Sequence, residues 1–318
     1  MAHDSSLDAM PGGLRVGDAA RITRTIALLS VATASILVAL KLWAWLSSGS
    51  VSMFASLADS GLDGFASLFT LLAVSYAAVP PDTQHRYGHG KAEGFAAIIQ
   101  AMLVGVSATL VAVEAFARLR SPEPIVESTL ALAVMGVSTA LTLALIWAQS
   151  RAIAQTGSVA TKGDRAHYAA DLAANAAVIG GITLATFTGL GWADPSVGFL
   201  VALWLAWSAL DVARSGWDQL LDREVSDAAR ERIRALALSS GVLLDIHALR
   251  TRTSGPYIHV QFHAEMPPHL SLIEAHEAMV EAERAILAEF PAADVLIHPD
   301  PRGRAEAHGT DVFFEAAE

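Results

Sequence analysis

Six long apolar runs separated by short polar stretches fill the first two thirds of the chain. They cover roughly residues 26–46, 51–79, 92–117, 129–149, 168–190 and 195–213. Each is near the ~20 residues that an α-helix needs to cross a bilayer, so the pattern predicts six membrane spans. The fourth run carries no charged residue. The fifth is rich in small residues, among them Ala169, Ala170, Ala173, Ala174, Gly180 and Gly181. Such residues let helix backbones approach closely inside a membrane.

Beyond Arg223 the pattern becomes that of a water-soluble unit. Residues 226–238 read as a helix, and 242–251 and 257–265 as strands. The second strand alternates strictly, with Ile258, Val260 and Phe262 on one face and His259, Gln261, His263 and Glu265 on the other. Ser271 and Glu274 form a capping box that opens a helix to about residue 289, and residues 294–298 make a last short strand. The order αββαβ predicts a small α+β domain. The expected fold class is therefore membrane α-helical: six transmembrane helices followed by a cytoplasmic α+β domain. The expected division is a disordered segment at 1–20, a membrane domain at 21–215, a hinge at 216–224, the soluble domain at 225–302 and a disordered tail at 303–318.

Composition agrees with this division. The chain is 318 residues long, 53% hydrophobic and 17% charged, whereas soluble domains carry about 25% charged residues. It has no cysteine, which removes disulfides and thiolate metal sites and leaves His and carboxylates as ligands. Residues 1–18 lack the basic and apolar regions of a cleaved signal peptide. The net charge is -11, and past Arg223 sixteen acidic residues stand against eight basic ones. That balance argues against nucleic acid as a partner and suits a domain that attracts cations.

Basic residues also orient the spans. Arg15, Arg21 and Arg24 precede the first; Arg86 and Lys91 lie between the second and third; Arg151, Lys162 and Arg165 lie between the fourth and fifth. Arg118 and Arg120 dissent, beside Glu123 and Glu127. The excess places both termini in the cytoplasm.

Three clusters carry chemistry. Asp59 and Asp63 in the second run, and His167 and Asp171 at the edge of and inside the fifth, are pairs four residues apart, so each pair projects from one helix face. An ionisable side chain in hydrocarbon costs about 2.5–3.5 kcal/mol on insertion scales and usually marks an ion path. Three carboxylates and one imidazole make a four-coordinate set for a divalent cation. The mixture suits zinc, cadmium, cobalt or ferrous iron, while an all-oxygen site would suit manganese or magnesium better. Asp82, His85 and His89 form a second cluster in the loop after the second run, where Gly88 and Gly90 let the chain wrap. The third lies in the soluble domain; seven of the eleven histidines fall beyond Arg223. His247, His263, His276, His298 and Asp300 sit at positions that can converge; His269 and His308 read as surface residues.

These strings, in this order, resemble the cation diffusion facilitators from about Arg21 to Arg302. The matching segments are Asp59-Ser-Gly-Leu-Asp63, His85-Arg-Tyr-Gly-His89-Gly-Lys-Ala-Glu, His167-Tyr-Ala-Ala-Asp171, Leu221-Asp222-Arg223, His247-Ala-Leu-Arg-Thr-Arg-Thr-Ser-Gly-Pro and His298-Pro-Asp300-Pro. The resemblance implies a transport site at Asp59, Asp63, His167 and Asp171, and a loop site at Asp82, His85 and His89. It further implies a binuclear cytoplasmic site at His247, His263, His276, His298 and Asp300, with Asp300 bridging two ions. Lys91 and Asp222 take the place of a charged interlock between the third helix and the hinge. A metallochaperone-like, dimerising soluble domain and proton-coupled antiport are also implied, with no enzymatic activity. The expected protein is a homodimer in the lipid bilayer of a bacterial inner membrane, exporting zinc against protons, with further zinc ions structural or regulatory. Imidazole titrates nearest neutral pH among these ligands, which makes His167 the natural proton carrier.

One departure is Pro299, where the most similar pattern has Gln; its carbonyl survives as a main-chain ligand. His259 has no counterpart role. Alternatives are the same mechanism with ferrous iron, cadmium, cobalt or manganese as main substrate and, more remotely, a membrane metalloenzyme or a metal sensor. The zinc-peptidase pattern is missing, since His276-Glu277 is followed by Val280 where a second histidine would stand.

Overall fold

The computed structural model describes residues 13–48, 51–120, 129–188 and 192–303. Residues 1–12 of the expected disordered lead, residues 304–318 of the tail and the Glu123/Glu127 loop lie outside them. Six long helices come first: α1 (Val16–Ser48), α2 (Val51–Ala77), α3 (Ala92–Arg120), α4 (Thr129–Thr156), α5 (Val159–Thr188) and α6 (Ala193–Leu220). The helical bundle followed by an α+β domain is the fold class expected from the pattern.

Several boundaries move. α1 begins at Val16, so residues 16–20, expected to be disordered, are helical. α6 runs to Leu220, which makes the first half of the expected hinge helical. α4 and α5 likewise extend past their apolar runs. Apolar patterning stops where the bilayer stops, whereas backbone hydrogen bonding carries a helix on until a cap or breaker ends it. Among the described residues five helices are long and apolar enough to cross a membrane. α5 (Val159–Thr188) carries Lys162, Asp164, Arg165 and Asp171 in its first half and a charge-free apolar run after Asp171. At 30 residues it still reaches about 45 Å, enough for a span.

Close packing rests on glycine where helices cross. A Cβ built on Gly216 of α6 would stand 2.8 Å from the Gly94 carbonyl oxygen of α3, and one on Gly163 of α5 would stand 2.8 Å from the Gln100 Cβ. Only a missing side chain admits such an approach.

The soluble domain consists of α7 (Asp227–Ala237), a 3-10 turn, β1 (Asp245–Ser254), β2 (Tyr257–Met266), α8 (Leu272–Glu289) and β3 (Ala293–Pro301). Ser226 caps α7, accepting the Ala229 amide, and the capping box of Ser271 and Glu274 is formed at α8. The Ser271 backbone amide, first among several donors, holds the Glu274 carboxyl below its ordinary pKa. The strand order is β1-β2-β3, with β1 antiparallel and β3 parallel to β2. Ile258, Val260 and Phe262 bury one sheet face against Ile233, Ile286 and Phe290 of the helices. Each such side chain contributes about 1.5–3 kcal/mol. The helices thereby cover the apolar face, and the opposite face is left to the polar residues of the strands.

The loop between α2 and α3 rests on the β1–β2 hairpin. Arg252 stacks over the Tyr87 ring at 4.4 Å, His259 meets the same ring edge-on at 5.5 Å, and Gly90 touches the chain at Ser254 and Gly255. A Cβ on Gly90 would fall 1.9 Å from the Ser254 carbonyl oxygen, a clash with backbone that no rotamer relieves. Gly90→Ala should therefore lift the loop off the hairpin at a cost of about 1–3 kcal/mol. Faster protease cleavage within residues 80–91 of the folded protein would report it; wild-type cleavage rates would contradict it.

Candidate metal centres

Asp63 of α2 and His167 and Asp171 of α5 meet between the two helices. His167 Nε2 lies 3.0 Å from Asp63 Oδ1 and 4.0 Å from Asp171 Oδ2. All three can offer one ligand atom within 4.8 Å of the others. Asp63 and His167 are each 6% exposed, and His167 Nδ1 and Asp171 Oδ2 are buried without a hydrogen-bond partner. Buried polar atoms without protein partners are rare in native interiors, and these two are donor types that a cation can use. Asp59 falls outside this trio. One turn along α2 keeps it on the same face but displaces it by about 6 Å along the axis. It lines, with Asp63 and Asp171, a cavity of ≈ 230 Å³ whose walls also include Lys41, Ser60, Ser138, Thr142 and Asn175.

Below the trio lies a polar hub not anticipated from spacing. Asp164, one turn before His167, is 1% exposed. It accepts hydrogen bonds from Gln149 Nε2 of α4 at 2.8 Å, Ser67 Oγ of α2 at 3.1 Å and Gln100 Nε2 of α3 at 3.4 Å. The Tyr168 hydroxyl joins Ser67 at 2.9 Å and donates to the Ser30 carbonyl of α1 at 3.3 Å. Four helices are thus tied at one carboxylate directly beneath the ligands, and Tyr168 joins α1 to them. Asp164→Leu should strand these donors, costing about 1–3 kcal/mol for each one left unpaired, while Asp164→Asn should lose less. Melting both variants in detergent checks this; equal melting temperatures for the leucine variant and the wild type would remove Asp164 from the hub.

The loop residues Asp82, His85 and His89 also converge. Asp82 Oδ1 accepts the amides of Gln84 and His85 at 2.7 and 2.6 Å, and Oδ2 lies 3.3 Å from His89 Nε2. The His85 amide foremost, and then that of Gln84, holds the Asp82 carboxyl below its ordinary pKa. It therefore stays anionic into mild acid, the state a cation needs. A carbonyl oxygen can only accept, so His89 Nδ1 donates to Val79 O at 3.2 Å and Nε2 turns to Asp82. That second bond sets ring tautomer and aim as in metal-ligating histidines.

In the soluble domain the register builds the third cluster. His247 pairs with His263 across β1 and β2, and His263 with His298 across β2 and β3, so the three imidazoles form a row on the face opposite the helices. Asp300, 4% exposed, sits at their centre. Its Oδ2 lies 2.9 Å from His263 Nδ1 and 3.3 Å from His247 Nε2, and its Oδ1 lies 3.4 Å from His298 Nε2. A β-bulge follows His247, with Ala248 at φ 51, and such bulges re-aim a side chain. Two carboxylate oxygens facing three imidazoles are a donor set that fits zinc. His276 is exposed on α8 and lies outside the group, because α8 covers the other face of the sheet.

Lys91 Nζ contacts Asp222 Oδ2 at 3.0 Å and the Leu220 carbonyl at 3.1 Å, and Arg252 reaches the same carboxylate at 3.3 Å. His259 is 6% exposed, with Nδ1 3.0 Å from Asp294 Oδ2. Its place is the seam between loop and hairpin rather than a ligand cluster. Lys41 is the one charged residue in the first apolar run, at residues 26–46.

A profile of the cation efflux transmembrane domain matches residues 27–221, and one of the cation efflux protein cytoplasmic domain matches residues 225–302. The cation-efflux pump FieF of Shewanella oneidensis is 43% identical over 272 residues, spanning 86% of this chain and 92% of that protein. The cation-efflux pump FieF of Yersinia enterocolitica is 38% identical over 282 residues, 89% of this chain and 94% of that protein. A solved structure of CzrB in its zinc form is 33% identical, covers 27% of this chain and 99% of that one, and has a TM-score of 0.25. Matched along both domains in the same order, this multi-pass chain belongs to the cation efflux, or cation diffusion facilitator, family, whose members transport metal ions and are not enzymes.

Proposed function

We propose that the protein is a homodimeric antiporter of the bacterial inner membrane that exports divalent metal, zinc foremost, from the cytoplasm in exchange for protons. The observation that carries this reading is the meeting of Asp63, His167 and Asp171 between two spans, all within ligand reach of one another, with His167 Nδ1 and Asp171 Oδ2 buried without a hydrogen-bond partner. Metal ligands must shed protons to bind, so metal and protons compete for one site. His167 is the proton carrier in this scheme, because its imidazole alternates between donor and ligand. Rocking of helices around the site then exposes it to either side in turn.

Orientation has support from the seam. The basic loop between α2 and α3 touches the soluble domain, so both lie on one side of the bilayer. The positive-inside rule makes that side the cytoplasm. Asp59 serves as an entry ligand on the cavity wall, the Asp82 cluster as an open loop site, and the Asp300 cluster as a resident zinc site that tunes the soluble dimer. Lys91 and Asp222 hold α3 to the segment after α6.

Zinc flux in proteoliposomes under an imposed pH gradient tests the proposal. Export should follow the proton gradient and dissipate it in return. Competition with ferrous iron, cadmium, cobalt and manganese ranks the substrates. Flux indifferent to the pH gradient would refute coupling.

A further inference from the structure

Lys41 stands on α1, facing the cavity that holds Asp59, Asp63 and Asp171. Its ammonium donates to Ser60 Oγ at 2.6 Å and to the Ser56 carbonyl at 3.2 Å, both on α2, one residue and three residues from Asp59. These contacts hold the charge on the wall of the cavity that Asp59, Asp63 and Asp171 also line. A lysine at this depth costs free energy unless it has a task, since apolar residues would fill α1 equally well.

We propose that Lys41 is a further residue of the transport cavity, a tethered counter-cation that weakens and thereby speeds the exchange of a divalent ion. The proposal rests on the transport reading above. Its basis is charge balance. Three carboxylates around a divalent ion leave one negative charge over, and the ammonium cancels it. In a cavity walled by low-dielectric protein, an uncancelled charge strengthens cation binding steeply. A carrier gains nothing from that, because an ion held too firmly is not released on the far side. Lys41 holds its charge against neutral partners, Ser60 and Ser56, rather than in direct contact with a carboxylate, so the carboxylates keep their oxygens for the metal.

The test uses the full-length protein with zinc as the probe, measuring equilibrium binding and flux for the wild type, Lys41→Gln, Lys41→Met and Lys41→Arg. Both neutral variants should bind zinc about tenfold more tightly or better, the effect of removing one unit charge near a divalent ion. Their maximal flux should fall together with the half-saturating concentration. Lys41→Arg, which keeps the charge, should stay near wild type in both readouts. Wild-type affinity and flux in the neutral variants would overturn the proposal, and so would an arginine variant that behaves like them. If both neutral variants fail to assemble while Lys41→Arg assembles, the ammonium has a folding role and the proposal also falls. Absence of zinc flux in the unsubstituted protein would refute the transport reading itself, a result distinct from equal affinities across the series.

Discussion

Asp63→Ala should abolish zinc flux while leaving a folded protein. Asp63 supplies the closest contact of the trio, 3.0 Å from His167 Nε2, and among the described residues it is the one ligand of this trio that α2 contributes. Without it, zinc at this place would rest on ligands from α5 alone, with Asp59 displaced along α2. Removing even an outer partner of a metal ligand costs about 10–100-fold in affinity, and a direct ligand costs more. The fold should survive, because the hub at Asp164 and the glycine contacts between α3 and α6 do not involve Asp63. Flux in proteoliposomes, paired with size-exclusion chromatography, decides the matter. Unaltered flux would remove Asp63 from the transport site.

Asp300→Ala should erase the zinc-dependent part of the soluble domain's stability. The carboxylate faces three imidazoles within 3.4 Å, so its loss takes the central ligand and leaves a row of neutral or mutually repelling rings. A ligand at a hundredfold excess over Kd stabilises the folded state by about 2.7 kcal/mol, and that increment should disappear. Melting the full-length protein in zinc and in chelator separates this from ordinary packing. A deficit of equal size in both conditions would mean that Asp300 only orders the strand. Transport-site binding should persist in the variant, since α2 and α5 hold that trio independently.

Elements bound by local rules were legible in the chain. The spacing of Asp63, His167 and Asp171 follows helix periodicity, the capping box at Ser271 is a four-residue pattern, and the alternation of Ile258, Val260 and Phe262 is a strand's own signature. What escaped depends on partners far away in sequence. Asp164 has no spacing signal of its own, and only the meeting of α2, α3, α4 and α5 makes it a hub. Asp59 and His276 have plausible positions, yet a shared helix face does not set an axial offset, nor which side of a sheet a helix covers. The register that lines up His247, His263 and His298 belongs to strand pairing, which β3 enters from the parallel side. Lys41 did carry a signal, a lone lysine in an otherwise uncharged run.

The contact of Gly90 with Ser254 and Gly255 bears on how such proteins can be recombined. Backbone meets backbone there, so the two surfaces have to be inherited as a matched pair. A hybrid that joins this membrane domain to a relative's soluble domain should work only if residues 80–91 travel with the incoming hairpin. A cut at residue 221 alone would leave the donor's hairpin facing a loop shaped for another partner.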